Sequence, residues 1–98
     1  MKQVFVDTGA WYSLVDAKDP DHRAVAACLA EYHGRLATSN FVFDETVTLL
    51  RYRLDYRAAR TFGTALLAGG LGPVFRLTPA DEAGAWEIFT RYRDKHFS

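Results

Sequence analysis

The sequence predicts an α/β fold built on a parallel sheet, and three observations carry that prediction. Short apolar runs that read as strands recur at residues 3–6 (QVFV), 35–38 (RLAT) and 72–78 (GPVFRLT). Two helical segments separate each run from the next, and such crossovers make neighbouring strands parallel. Each strand also runs straight into a helix-start signal: Thr8, then Ser39 or Asn40, then Thr78-Pro79.

Along the chain, the first strand stops at Asp7 and Thr8 is the expected N-cap of a helix over GAWYSLVD. Its hydroxyl can accept from a free backbone N–H. KDPDHR then breaks the helix. Asp19 is the expected cap of the next one, with Pro20 at its first position, where a missing N–H costs nothing. His22, Val25, Leu29 and Tyr32 share one face at helical spacing. Gly34 is the expected stop.

After the second strand, NFVFDETVTLL opens a helix whose core stripe is Phe43, Val47, Leu50 and Leu54. Asp55 starts a further helix that ends at Gly69-Gly70. After the third strand, Thr78 caps a last helix, with Pro79 in its first position and Asp81 and Glu82 in its first turn. Ala85, Trp86, Phe89 and Tyr92 or Arg93 supply its buried side.

The 98 residues make one domain, 1–98, of ordinary globular composition, with 49% hydrophobic and 24% charged residues. No apolar run approaches the roughly 20 residues that span a bilayer. The N-terminus lacks a signal-peptide layout, so a cytoplasmic location is expected. The single cysteine, Cys28, excludes an internal disulfide and is expected as a small buried hydrophobe. Net charge is zero but unevenly spread. Residues 1–50 hold four Lys/Arg against seven Asp/Glu, and residues 51–98 hold eight against five. An acidic half beside a basic half suits a metal site next to a polyanion-binding surface.

Two acids sit where chemistry is expected. In open parallel sheets, ligands bind beyond the carboxyl ends of the strands. Asp7 ends the first strand, and Glu45 lies two turns into the helix that leaves the second. Paired carboxylates in a partly dry cleft are stable when a cation lies between them. Oxygen ligands of this type select Mg²⁺ or Mn²⁺. Taken singly, Asp7 also suits the capping of backbone N–H groups, and Glu45 an exposed helix flank. Asp44, turned about 100° away on the helix, is expected in solvent. Arg51, Arg53, Arg57 and Arg60 could hold phosphates, or line a solvated helix face.

The segments VFVDTGAWYSLVDAKDPDH, LATSNFVFDETVTLLR and RLTPADEAGAWEIFTRYRDKHFS resemble successive parts of PIN-domain nucleases of the VapC toxin type. The likeness runs over nearly the whole chain. It implies a three-layer α/β/α, PIN-like arrangement around the parallel sheet, incomplete at the C-terminus. By position it implies that Asp7 and Glu45 bind Mg²⁺ or Mn²⁺, with Thr8 as the hydroxyl beside the first acid. Thr38 and Ser39 match the polar pair before the helix.

The resemblance further implies a metal-dependent ribonuclease, the toxin of a toxin–antitoxin pair, with Arg51, Arg53 and Arg57 on the RNA. A homodimer and a small antitoxin protein are the implied partners, with no membrane. The family continues past DKHFS into a strand bearing further acids, so two of its usual acidic ligands lie outside these 98 residues. The alternative expectation is therefore a catalytically inactive, truncated module acting through homodimerisation or partner binding. A haloacid-dehalogenase phosphatase also begins with strand-Asp, but it needs a second acid two positions on, where Gly9 stands.

Overall fold

The computed structural model describes residues 3–81 and 83. The elements run β1 (Val4–Phe5), α1 (Thr8–Val15), α2 (His22–Glu31), β2 (Leu36–Ser39), α3 (Asn40–Arg53), α4 (Tyr56–Leu67) and β3 (Val74–Phe75). They form a three-stranded sheet in the order β1-β2-β3, with both pairings parallel. This is the α/β class and strand direction expected. Val4 faces Leu36 and Phe5 faces Ala37, while Thr38 and Ser39 face Val74 and Phe75. The central strand is buried along its whole length, as a strand with neighbours on both sides must be.

Helix starts follow side-chain chemistry, with two corrections. Asp7, not Thr8, caps α1: its Oδ1 accepts from the Ala10 N–H at 3.0 Å, and Thr8 is the first helical residue. The carboxylate has the better acceptor and stands one position earlier. Asp19 does not cap α2 either. It accepts from the Asp21 N–H at 2.9 Å and from the Ser13 hydroxyl at 3.2 Å, closing a turn, and the helix begins after Asp21. Ser39 caps α3 through the Val42 N–H, and Asp55 caps α4 through the Ala58 N–H. Thr78 accepts from the Asp81 N–H at 3.3 Å, as expected of a cap, and residues 79–81 are helical. The buried side expected for that last helix lies outside the described residues.

The core gathers Val6 just after β1 with Trp11, Leu36, Leu50, Phe62 and Leu66 from α1, β2, α3 and α4. Trp11 and Phe62 pack with ring centroids 5.5 Å apart, tilted by 59°. Burying a side chain such as Leu50, which is fully covered, contributes about 2 kcal/mol. The α3 stripe is shifted from expectation. Thr46 and Leu50 form its buried centre, Phe43 and Val47 pack at the margin, and Leu54 is exposed at the helix end. Leu54 is the C-cap of α3, where the chain turns away from the core. Cys28 is also exposed rather than buried, because α2 turns Leu29 inward instead.

Candidate functional site

Three chain segments reach the carboxyl edge of the sheet: Asp7-Thr8 after β1, Ser39-Asn40 at the end of β2, and Leu77-Thr78 after β3. Each is pinned there. Val6 donates to Ala37 O at 2.8 Å, which continues the β1–β2 ladder to the residue before Asp7. Asn40 clamps the third segment in both directions. Its amide donates to Leu77 O at 3.3 Å and its Oδ1 accepts from the Leu77 N–H at 2.7 Å. A backbone-like pair from one side chain thereby extends the sheet beyond β3.

Asp7 is exposed and gives one carboxylate oxygen to the α1 cap, leaving the second outside it. Beside it the Thr8 hydroxyl is buried and, like that of Thr46 on α3, has no hydrogen-bond partner among the described residues. Buried polar groups are rarely left orphaned, so this one stands ready for a further partner. Glu45 is exposed on α3, and so is Asp44. Asp7 lines a cavity of about 540 Å³ between α1 and α2, together with Ser13, Asp21, Val25 and Cys28. Glu45 lines a different one, of about 430 Å³ along α3, with Asp44, Thr48, Leu49 and Tyr52. Both acids thus belong to elements leaving the same edge, on separate concavities.

As a metal site the donors fit in kind. Two carboxylates and a hydroxyl are hard oxygen ligands, suited to an ion that keeps several waters. In number they supply only part of a coordination shell. Among the described residues no group of three or more His, Cys, Asp or Glu side chains stands ready to hold an ion.

The arginines lie elsewhere. Arg51 and Arg53 close α3 at the end away from its Ser39 cap, with Arg53 about 12 Å along the axis from Glu45. Arg51 stacks over the Tyr56 ring at 5.6 Å and Arg53 over the Tyr12 ring at 5.5 Å. Arg57, exposed on α4, lines a third cavity with Leu14, Val15, Phe62 and Leu71. Arg51 and Arg53 therefore lie in the last turn of α3, and Asp44 and Glu45 in its first half.

The PIN domain family matches residues 4–96. The chain belongs to that family. This PIN domain is 34% identical over 95 residues to the 23S rRNA-specific endonuclease VapC20 of Mycobacterium tuberculosis, covering 97% of the chain and 72% of the relative. It is 30% identical to ribonuclease VapC26 of the same species, covering 94% of the chain and 67% of that relative. The crystal structure of VapC20, described as a sarcin-ricin loop cleaving toxin, superposes with a TM-score of 0.79 at 34% identity. That match covers 96% of this PIN domain and 72% of the VapC20 chain. Among the described residues no helix is long and apolar enough to cross a membrane.

Asn40 and Trp11 are contributors to the edge that sequence reasoning did not find. Asn40 read only as an alternative cap to Ser39, and nothing in the sequence marks a side chain that imitates a strand. Trp11 read as core, which it is, being fully buried. Its indole N–H bond to the Thr38 hydroxyl, at 3.3 Å, has no sequence signal.

Proposed function

We propose that this PIN domain is a divalent-metal-dependent endoribonuclease, the toxin of a toxin–antitoxin pair, acting in the cytoplasm. The supporting observation is the strand-end Asp7, with a carboxylate oxygen outside its cap and beside it the buried Thr8 hydroxyl, unpartnered among the described residues. The relatives named as an endonuclease and a ribonuclease support the substrate class. Asp7 and Glu45 are the proposed metal ligands, and Thr8 the hydroxyl that orients water or phosphate. A bound Mg²⁺ or Mn²⁺ lowers the pKa of coordinated water and offsets phosphate charge. Hydrolysis then joins the water oxygen to phosphorus and breaks the bond to one bridging oxygen. The leaving oxygen takes a proton, and an acid side chain accepts the one that water gives up.

Arg51 and Arg53 in the last turn of α3 and Arg57 in the first turn of α4 are the proposed RNA contacts, where they would hold strand flanking the cut. Cleavage of RNA in the presence of Mg²⁺ or Mn²⁺ tests this reading. The expected result is cutting that stops with chelator and with Asp7→Asn; equal cutting by that variant overturns the assignment.

A second reading rests on its own observation. Tyr52 is 89% exposed and Phe41 47% exposed on the α3 face that carries Leu49. Such a face suits a homodimer contact, with a small antitoxin protein as a further partner. Sedimentation of the wild-type chain against Tyr52→Glu checks it, with dissociation to monomer expected in the variant.

A further inference from the structure

Thr38 is the junction of the site's frame. Its backbone N–H donates to Pro73 O at 3.1 Å, toward β3. Its hydroxyl donates to Val6 O at 3.0 Å, toward β1. The same oxygen accepts from the Trp11 indole N–H at 3.3 Å, toward α1. Thr38 and Trp11 are both fully buried, so these bonds are out of reach of water and have no replacement partner. Val6 is the residue before Asp7, and Thr38 is the residue before the Ser39 cap of α3. One buried relay therefore ties the peptide that presents the first acid to the strand that launches the helix of the second.

We infer that Thr38 is a positioning residue, which sets the placement of Asp7 relative to Glu45 through the relay Trp11 Nε1–Thr38 Oγ1–Val6 O. The inference rests on the proposed metal-dependent nuclease reading. An apolar residue of the same shape would fill the space and still sever both side-chain bonds. It would leave the indole N–H and the Val6 carbonyl unpaired, and the end of β1 held to β2 by the Val6–Ala37 bond alone. The acids would then sample more relative positions, and an ion that demands near-ideal geometry is sensitive to that freedom.

Thr38→Val and Thr38→Ser, each in the full 98-residue chain, test this by two readouts. The first is Mn²⁺ binding without RNA, followed by the paramagnetic resonance signal of free Mn²⁺. The second is kcat and KM for RNA cleavage. Thr38→Val is expected to weaken Mn²⁺ binding and lower kcat by about tenfold or more each, as loss of an outer-shell partner does, with KM for RNA little changed. Thr38→Ser, which keeps the hydroxyl, is expected to restore both. Should Thr38→Val not fold, Trp11→Phe cuts one bond of the relay and is expected to shift both readouts the same way by less.

A folded Thr38→Val that binds Mn²⁺ and turns over like wild type overturns the inference. So does a Thr38→Ser that fails as badly as Thr38→Val, since the hydroxyl would then carry nothing. Wild-type protein that neither binds Mn²⁺ nor cuts RNA overturns the nuclease reading, and the positioning role with it. That outcome is distinct from an active wild type with an indifferent Thr38.

Discussion

At the scale of single residues, Asp7 has two tasks that substitutions can separate. As a cap it needs an acceptor, which Asn supplies and Ala does not. Asp7→Ala is therefore expected to destabilise the fold by about 1 kcal/mol, and Asp7→Asn by only a few tenths, in urea unfolding. As a proposed metal ligand it needs charge, so both variants are expected to lose RNA cleavage. Asp81 gives a pH-dependent counterpart at the last helix start. The Thr78 N–H and hydroxyl, at 2.7 and 3.0 Å, hold its carboxyl below the ordinary value of 3.8. Because ionisation is favoured in the folded chain, the contact stabilises above that ordinary value and is lost as pH falls through the lower, folded one. Amide exchange at Thr78 is expected to quicken over that acid window in wild type and to show no such step in Asp81→Asn.

At the scale of elements, two glycines make opposite predictions. Gly72 leads into β3 with φ of 128°, and a Cβ there would run into the Leu36 carbonyl. Gly72→Ala is expected to destabilise by about 2 kcal/mol or more, since the turn must shift before β3 can pair with β2. Gly63, inside α4, would place a Cβ in ordinary contact with Phe43 and Val47 at 3.7 Å. Gly63→Ala is expected to stabilise by about 0.5–1 kcal/mol, by restricting the unfolded chain and filling the helix face. Thermal unfolding of the two variants checks both signs. Element order and strand direction were legible in the sequence because apolar runs and caps such as Ser39 and Asp55 act locally. Asp19 and Asp21 show the limit: two acids flank Pro20, and Asp19 is taken by the Asp21 N–H and by Ser13 Oγ, which leaves Asp21 to precede the helix. The edge's frame was less legible still. Asn40 reaches Leu77, 37 positions away, and Trp11 reaches Thr38, 27 positions away, and no local pattern encodes either contact.

At the scale of the whole molecule, charge is divided along α3, with Asp44 and Glu45 in its first half and Arg51 and Arg53 in its last turn. A polyanion bound by such a surface releases counterions, so RNA affinity is expected to fall steeply with salt. Arg57→Ala is expected to weaken binding across unrelated RNA sequences and to reduce the salt slope by about one phosphate contact, as filter binding at several salt concentrations would show. Asp7 and Glu45, 38 positions apart in sequence, leave the same sheet edge because β1 and β2 are parallel neighbours. In the proposed reaction those two carboxylates act together on RNA. Its most direct test is Mn²⁺-supported cleavage of a defined RNA by wild type, Asp7→Asn, Glu45→Gln and the double variant. Each single variant is expected to lose nearly all activity, and the double variant to be no worse than either. Cleavage by Asp7→Asn or Glu45→Gln at the wild-type rate would contradict it.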